Sequence, residues 1–306
     1  MIHILGAGSM GCLWAAQLSY SNTVSFVSSR EKHCSNKQSS PNTKHFSLLK
    51  PYKESTSQHN IPIINVDEIS EPIETLLVCT KSHDALKALT NLESKLSEKT
   101  TIILFQNGLG SQFEIIEAFP DNAIFAAVST EGVNRLSEKE VIHAGLGSTQ
   151  LGALTHSSPA KQESTYQKLT SSGLSIKNQN DIWQALWTKL IINCAINPFT
   201  ALINCPNGEI KQHPLFQENW PSLKGELANL MLIATYPLDK QKLEQIIFEV
   251  IENTQTNISS MLQDVRNHKN TEIDHINGFA YRYLKKHQCK HAINKKLWES
   301  VNALGN

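Results

Sequence analysis

Lys189, Asn193 and Asn197 recur at i, i+4 and i+8 within the apolar stretch 182–197. A helix is predicted there with Asp181 as its N-cap, and the spacing stacks the three side chains along one side of it. The stretch is apolar nearly all round, so the helix is expected to be buried. Polar groups in a row on a buried helix are costly unless something satisfies them. A cleft holding a polar ligand would do so. The alternative is that Lys189 reaches solvent along its stem while the asparagines bond neighbouring helices. Pro198 is expected to bend or break the helix. Asn207-Gly208, further on, reads as a turn.

A second chemical pattern opens the chain. The apolar run 2–5 leads into Gly6, Ala7, Gly8, Ser9, Met10 and Gly11, then into a helical stretch. Strand, glycine turn and helix is the setting in which G-x-G-x-x-G binds a dinucleotide. Gly6 allows the tight turn, Gly8 lets a pyrophosphate approach without meeting a Cβ, and Gly11 lets the helix pack close to the sheet. The helix N-terminus, with Ser9 and Met10 in its first turn, offers N–H groups and partial positive charge to the phosphates. The next strand, 23–27, runs into Ser28, Ser29 and Arg30, where an NAD site usually carries an acid. Arg30 can pair with a 2′-phosphate, so NADPH is the expected cofactor. The alternative is that Arg30 is a solvated surface residue.

The elements that must position these groups follow from pattern. Buried strands are predicted at 75–80 and 101–105, with a helix over 83–96. Lys81 and Asn107 stand at strand carboxyl ends, where ligands of open α/β sheets collect. Either could touch cofactor or substrate. The alternatives are a helix-flanking charge for Lys81 and a left-handed turn residue before Gly108 for Asn107. Further strands are predicted near 45–49, at 61–66, 123–130, 141–143, around 149–151 and at 174–176, with a helix over 159–171. From Asp181 onward strand signals stop. The fold class is therefore α/β: an N-terminal Rossmann-type doubly wound sheet over 1–178 and a C-terminal all-helical domain over 179–306.

Composition bounds the partners. The chain has 306 residues, with 28 basic and 28 acidic side chains and a formal net charge of zero. No basic surplus points to nucleic acid. No run approaches the ~18 uninterrupted apolar residues that span a bilayer, and the N-terminus lacks a cleavable leader pattern. A cytoplasmic setting without a membrane partner is the expectation. Cys12, Cys34, Cys79, Cys194, Cys205 and Cys289 form no C-x-x-C pair, so free buried thiols are expected rather than disulfides or a metal site.

The run Leu186-Trp187-Thr188-Lys189-Leu190-Ile191-Ile192-Asn193-Cys194-Ala195-Ile196-Asn197-Pro198, continuing through Asn204-Cys205-Pro206-Asn207-Gly208-Glu209, resembles the signature region of the ketopantoate reductases. The stretch from Glu252 to Asp264 and the run Thr271-Glu272-Ile273-Asp274-His275-Ile276-Asn277-Gly278 resemble the same family. The resemblance implies hydride transfer from NADPH to the C2 ketone of ketopantoate, in pantothenate and coenzyme A biosynthesis. It implies that Lys189 is the catalytic lysine and Glu272 the accompanying acid. It assigns Asn193, Asn197, Asn207 and Ser260 to substrate, Asn107 to substrate and cofactor, and Arg30 and Lys81 to the cofactor. Hydride arriving at a ketone leaves negative charge on oxygen, which an ammonium can stabilise and then protonate. A carboxylate nearby would hold the lysine's pKa up against burial; Glu272 could do that or bond the substrate's hydroxyl. On its own residues, Thr271-Glu272 also reads as an acid at a helix N-terminus. Reduction of another branched 2-keto acid, or a non-catalytic NADP-binding sensor, are the competing readings. Pairing into a homodimer is expected of helical second domains of this type.

Overall fold

The computed structural model describes residues 1–28 and 43–305. Arg30, Ser29 and Cys34 lie outside the described residues. Two compact units are present, one of Met1–Gln106 and Ser111–Ile182, the other of Asn107–Gly110 and Trp183–Asn306. Asn107–Gly110 thus cluster with the second unit, although a boundary after residue 178 would leave them in the first.

The first unit contains, in chain order, β1 (Ile2–Leu5), α1 (Ser9–Leu18), β2 (Val24–Ser28), β3 (Thr43–Lys50), β4 (Ser55–Asn65), β5 (Thr75–Val78), α2 (Ser82–Thr90), β6 (Thr101–Leu104), α3 (Ser111–Ala118), β7 (Ala123–Ser129), β8 (Gly132–Arg135), β9 (Glu140–Gly145), β10 (Thr149–Ala153), α4 (Pro159–Thr170) and β11 (Ile176–Asn178). The strands form one sheet in the order β11-β10-β7-β6-β5-β1-β2-β4-β3-β9-β8. From β7 to β4 neighbouring strands are parallel.

Parallel strands covered on both faces read as near-continuous apolar runs, and β1, β5 and β6 are buried at every position. Period-two alternation sends successive residues to opposite faces. Ile2 and Ile4 join one core with Leu13 of α1 and Leu169 of α4, while Leu5 joins the other with Leu89 of α2 and Ile115 of α3. Helices therefore cover both faces, as a doubly wound sheet requires. Each aliphatic side chain so buried contributes about 1.5–3 kcal/mol relative to exposure.

The structure departs from the sequence pattern in several places of this unit; α3 was not predicted, and β4 begins at Ser55 rather than 61. β8 was not predicted; its four residues GVNR are all half-buried and do not alternate. It exists because it pairs antiparallel with β9, through a register shift at Gly132/Val133. α2 stops at Thr90, and a separate 3-10 turn covers Glu93–Lys95. β11 lies two residues later than expected, at Ile176–Asn178.

The second unit is helical: α5 (Ile182–Ile203), α6 (Pro214–Ile233), α7 (Lys240–Asn253), α8 (Ser260–Arg266), α9 (Asn277–Lys286) and α10 (Ala292–Asn302). α5 is long and apolar enough to cross a bilayer, yet 67% of that stretch is buried inside the protein, which marks it as the core helix of this unit. Pro198 does not break α5, which runs five residues beyond it. Proline removes the N–H that the carbonyl four residues back would accept. That carbonyl belongs to Cys194, and the side-chain amide of Asn277 donates to it instead, at 3.1 Å. A buried carbonyl left unpaired costs about 1–3 kcal/mol, so the replacement donor is what lets the helix continue. Cys12, Cys194 and Cys205 are buried and free, and Cys79 and Cys289 are free and partly exposed.

The glycine turn connects fold to function. A Cβ added at Gly11 would collide with the Gly6 carbonyl oxygen, whereas one added at Gly8 meets nothing within 4 Å. Gly11 serves the packing of α1 on the sheet; Gly8 borders open space. In urea denaturation Gly11→Ala is expected to lose about 1–3 kcal/mol, the usual cost of overpacking. Gly8→Ala is expected to change stability by less than about 1 kcal/mol. Equal losses in the two variants would contradict this division of labour.

Candidate active site

In the first unit the carboxyl ends of β1, β2 and β5 open onto a cleft of about 650 Å³, lined by Gly6, Ala7, Val27, Ser28 and Thr80 and, from α2, by Asp84, Lys87 and Asn91. That volume suits a cofactor-sized ligand. Gly6 takes φ +106°, and a Cβ there would come within 2.7 Å of the Thr80 amide nitrogen, so the turn can be built only with glycine. The first helical bond of α1 runs from Cys12 N–H to the Gly8 carbonyl. The N–H groups of the preceding turn, Ser9 and Met10 among them, have no partner within the helix. A glycine without neighbours at position 8 and a helix N-terminus beside a cleft fit the pyrophosphate of a dinucleotide. Lys81 is half-buried and immediately precedes α2, one position past Thr80 in the cleft wall. Asp84 and Lys87 were not singled out in the sequence. Their signal was an acid and a base one turn apart on the helix after the β5 strand end.

The second unit gathers the chemical groups. Asn107 donates from Nδ2 to Glu272 Oε2 at 2.9 Å. The backbone makes this bond possible. Gly108 takes φ +75°, with no room for a Cβ beside the His275 carbonyl, and Leu109 N–H donates to that same carbonyl at 2.8 Å. The loop is thereby fastened to the 3-10 turn Ile273–His275, which Glu272 precedes. Asn107 does not take the left-handed conformation expected of a plain turn residue; Gly108 does.

Glu272 is 8% exposed. It stands at the N-cap of the turn that follows, where a helix-start acid was expected, but its side chain makes no capping bond there. Its carboxylate acts on Lys189. Burial pushes the Lys189 ammonium down from its ordinary value to about 8, with Glu272 opposing the fall. Burial disfavours the charged lysine and a neighbouring negative charge favours it; here burial is the larger effect. The result is a lysine that holds its proton at neutral pH and can release it within reach of neutrality.

Asn193 and Asn197 follow Lys189 on the same side of α5, the first half-buried and the second 9% exposed. The carboxyl half of that helix is pinned. Thr200 Oγ1 donates to the Asn197 carbonyl at 2.8 Å and bonds Ser259 Oγ at 2.6 Å, while Ser259 caps α8 by accepting from Leu262 N–H. Thr200 and Ser259 were missed in the sequence because each reads as an ordinary helix or turn polar residue. Ser260, one position on, begins α8 at an exposed site. Asn207 is buried, donates from Nδ2 to Thr254 Oγ1 at 2.9 Å and from its backbone to the Asn257 carbonyl. Its Oδ1 meets no donor. The structure thus groups Lys189, Glu272 and Asn107, aligns Asn193 and Asn197 with them along α5, and ties Asn207 to the 254–257 segment instead.

Comparison with known proteins bears on this arrangement. Residues 2–156 match the family model described as ketopantoate reductase PanE/ApbA, and residues 181–305 match that family's C-terminal model. The chain is 33% identical over 228 residues to the 2-dehydropantoate 2-reductase of Yersinia pestis, covering 74% of this chain and 73% of the relative. It is 29% identical over 303 residues to that of Vibrio cholerae, covering 99% and 97%. A D-mandelate dehydrogenase solved with NADH and anilino(oxo)acetate superposes with a TM-score of 0.85 at 22% identity, over 100% of this chain and 98% of the other, a likeness of fold.

Glu272→Gln removes the carboxylate while keeping the shape and an acceptor for Asn107. Lys189 is then expected to titrate below the value of about 8 that it has beside Glu272. NMR titration of a labelled Lys189 side chain measures this. An unchanged or raised midpoint would show that Glu272 does not support the charge.

Proposed function

The chain belongs to the ketopantoate reductase family, and on that premise we propose that it reduces 2-dehydropantoate to pantoate with NADPH. The observation that carries the proposal is the half-buried Lys189, lowered to about 8 against the opposition of Glu272, itself held by Asn107. NADPH, bound, supplies the hydride for the C2 ketone. The glycine turn, with Ser9, Met10 and Gly11 opening α1, holds its pyrophosphate, and Lys81 assists at the neighbouring strand end. Arg30 takes the 2′-phosphate.

Lys189 does the proton work. As an ammonium it stabilises the negative charge that grows on the ketone oxygen, then transfers a proton to it. Glu272 keeps that ammonium charged at neutral pH. Asn107 holds the carboxylate in place. Asn193, Asn197 and Ser260 donate hydrogen bonds to the substrate carboxylate, and the family resemblance assigns Asn207 a further substrate contact. The product feeds pantothenate and coenzyme A biosynthesis, in the cytoplasm.

Oxidation of NADPH in the presence of ketopantoate, followed by absorbance, tests the reaction. Lys189→Ala is expected to lower turnover by about 10²–10³, the cost of one preorganised charge-stabilising donor. For the intact chain, reduction is expected to be level in acid-to-neutral buffer and to fall as pH rises through about 8, where Lys189 gives up its proton. Tight NADPH binding without turnover would favour a sensor. Turnover only with other branched 2-keto acids would reassign the substrate.

The cofactor choice has its own check. Arg30→Asp is expected to lower kcat/KM with NADPH and shift preference toward NADH. If the ratio of the two cofactors' kcat/KM survives the change, Arg30 does not read the 2′-phosphate.

A further inference from the structure

Pro198 leaves one carbonyl of α5 without a helical donor, and the residue that replaces the donor belongs to a chain of buried polar groups. Asn277 uses one Nδ2 hydrogen on the Cys194 carbonyl, at 3.1 Å, and the other on Asn294 Oδ1, at 3.0 Å. Asn294 Nδ2 donates to Glu226 Oε2 at 2.8 Å. The two oxygens of Glu226 also accept the backbone N–H groups of Ile293 and Asn294, at 2.8 and 3.0 Å. Asn277 and Asn294 are 0% exposed and Glu226 is 2% exposed. The connection runs from α6 through the amino end of α10 and the first residue of α9 to the backbone of α5.

Its end point matters. Cys194 directly follows Asn193, and its carbonyl belongs to the helical turn that separates Asn193 from Asn197. A proline ring crowds the carbonyl four residues before it, so whatever receives that carbonyl decides which way the turn leans. Asn277 is the receiver. Both of its hydrogens are committed, while its Oδ1 meets no donor, so turning the amide over would lose both bonds. Buried polar networks of this kind specify one arrangement rather than add bulk stability. Alanine at 198 would satisfy the same carbonyl within the helix, without three buried polar side chains.

We propose that Asn277 is a positioning residue, which captures the Cys194 carbonyl released by Pro198 and so sets the alignment of Asn193 and Asn197 with Lys189. This rests on the reading that the Lys189 side of α5 receives substrate. Asn277 itself touches neither substrate nor cofactor in that reading.

The test is a double-variant cycle in the full chain: Asn277→Ala, Pro198→Ala, and both together. Asn277→Ala is expected to lower the urea midpoint and raise KM for ketopantoate about tenfold or more, as sub-ångström misplacement of binding groups does. Adding Pro198→Ala returns a backbone N–H to the Cys194 carbonyl and should recover part of the urea midpoint, the rest staying lost with the bond to Asn294 Oδ1. KM should stay raised, because the turn is then a regular helical one. Recovery of KM together with the midpoint would reduce Asn277 to a structural role and overturn the proposal. If Asn277→Ala alone does not fold, the double variant and Pro198→Ala carry the same comparison. Side-chain amide NMR signals of Asn193 and Asn197 give a readout without substrate. Displaced signals in the double variant support the positioning role even if ketopantoate is not turned over. Unmoved signals overturn it whatever the substrate.

Discussion

Glu272 brings a carboxylate into surroundings where charge is poorly screened, and the chemistry of the second unit depends on how that charge is held. In a shielded site, opposite charges act on one another far more strongly than in water. The carboxylate can therefore oppose the burial of Lys189, although burial remains the larger influence. Glu272 in turn needs a donor, and Asn107 provides it at 2.9 Å. Asn107 reaches it because Gly108 and Leu109 lie directly against the His275 carbonyl. A left-handed glycine, a loop bond, an amide and a carboxylate together supply the opposition to burial at one lysine.

The first unit obeys a different constraint, one of close approach. Gly6 must turn beside the Thr80 amide, and Gly11 must pass the Gly6 carbonyl. Both demands come from seating α1 against a sheet whose strands are buried on both faces. Once they are met, the space at Gly8 and the amino end of α1 are left for an anion. The open space beside Gly8 is thus a by-product of packing. Alternation divides Ile4 from Leu5 into separate cores, and parallel pairing puts the strand carboxyl ends along one edge, where the cleft lies.

Much of this was legible in sequence because it is local. β1, β5 and β6 announce themselves as short apolar runs between polar breaks, and the glycine spacing is meaningful in its strand-to-helix setting. The i, i+4, i+8 row needed only helix geometry. What escaped depends on partners distant in the chain. Pro198 looked like a breaker because its compensating donor, Asn277, is remote in sequence and sits on another helix. Glu272 is at the start of a turn, as its sequence suggested, but its bond to Asn107 could not be read locally. β8 has no signal of its own, since its order comes from β9. Ser259 and Ser260 are indistinguishable in sequence, yet one is buried and caps α8 while the other is exposed.

The assignment of Asn107–Gly110 to the second unit bears on how such a chain can be divided or recombined. The backbone passes from one unit to the other after Gln106, returns before Ser111, and passes again after Ile182. A fragment beginning near Trp183 would carry all six helices but lack the amide that fastens Glu272 and the loop that seats against His275. The helical part is therefore not a transferable module in the genetic sense. The Lys189, Glu272 and Asn107 group is encoded in two separate stretches of the gene, one of them four residues long and flanked on both sides by the first unit. Recombination at the obvious boundary would keep the helices and discard the amide that holds Glu272, the carboxylate opposing the burial of Lys189.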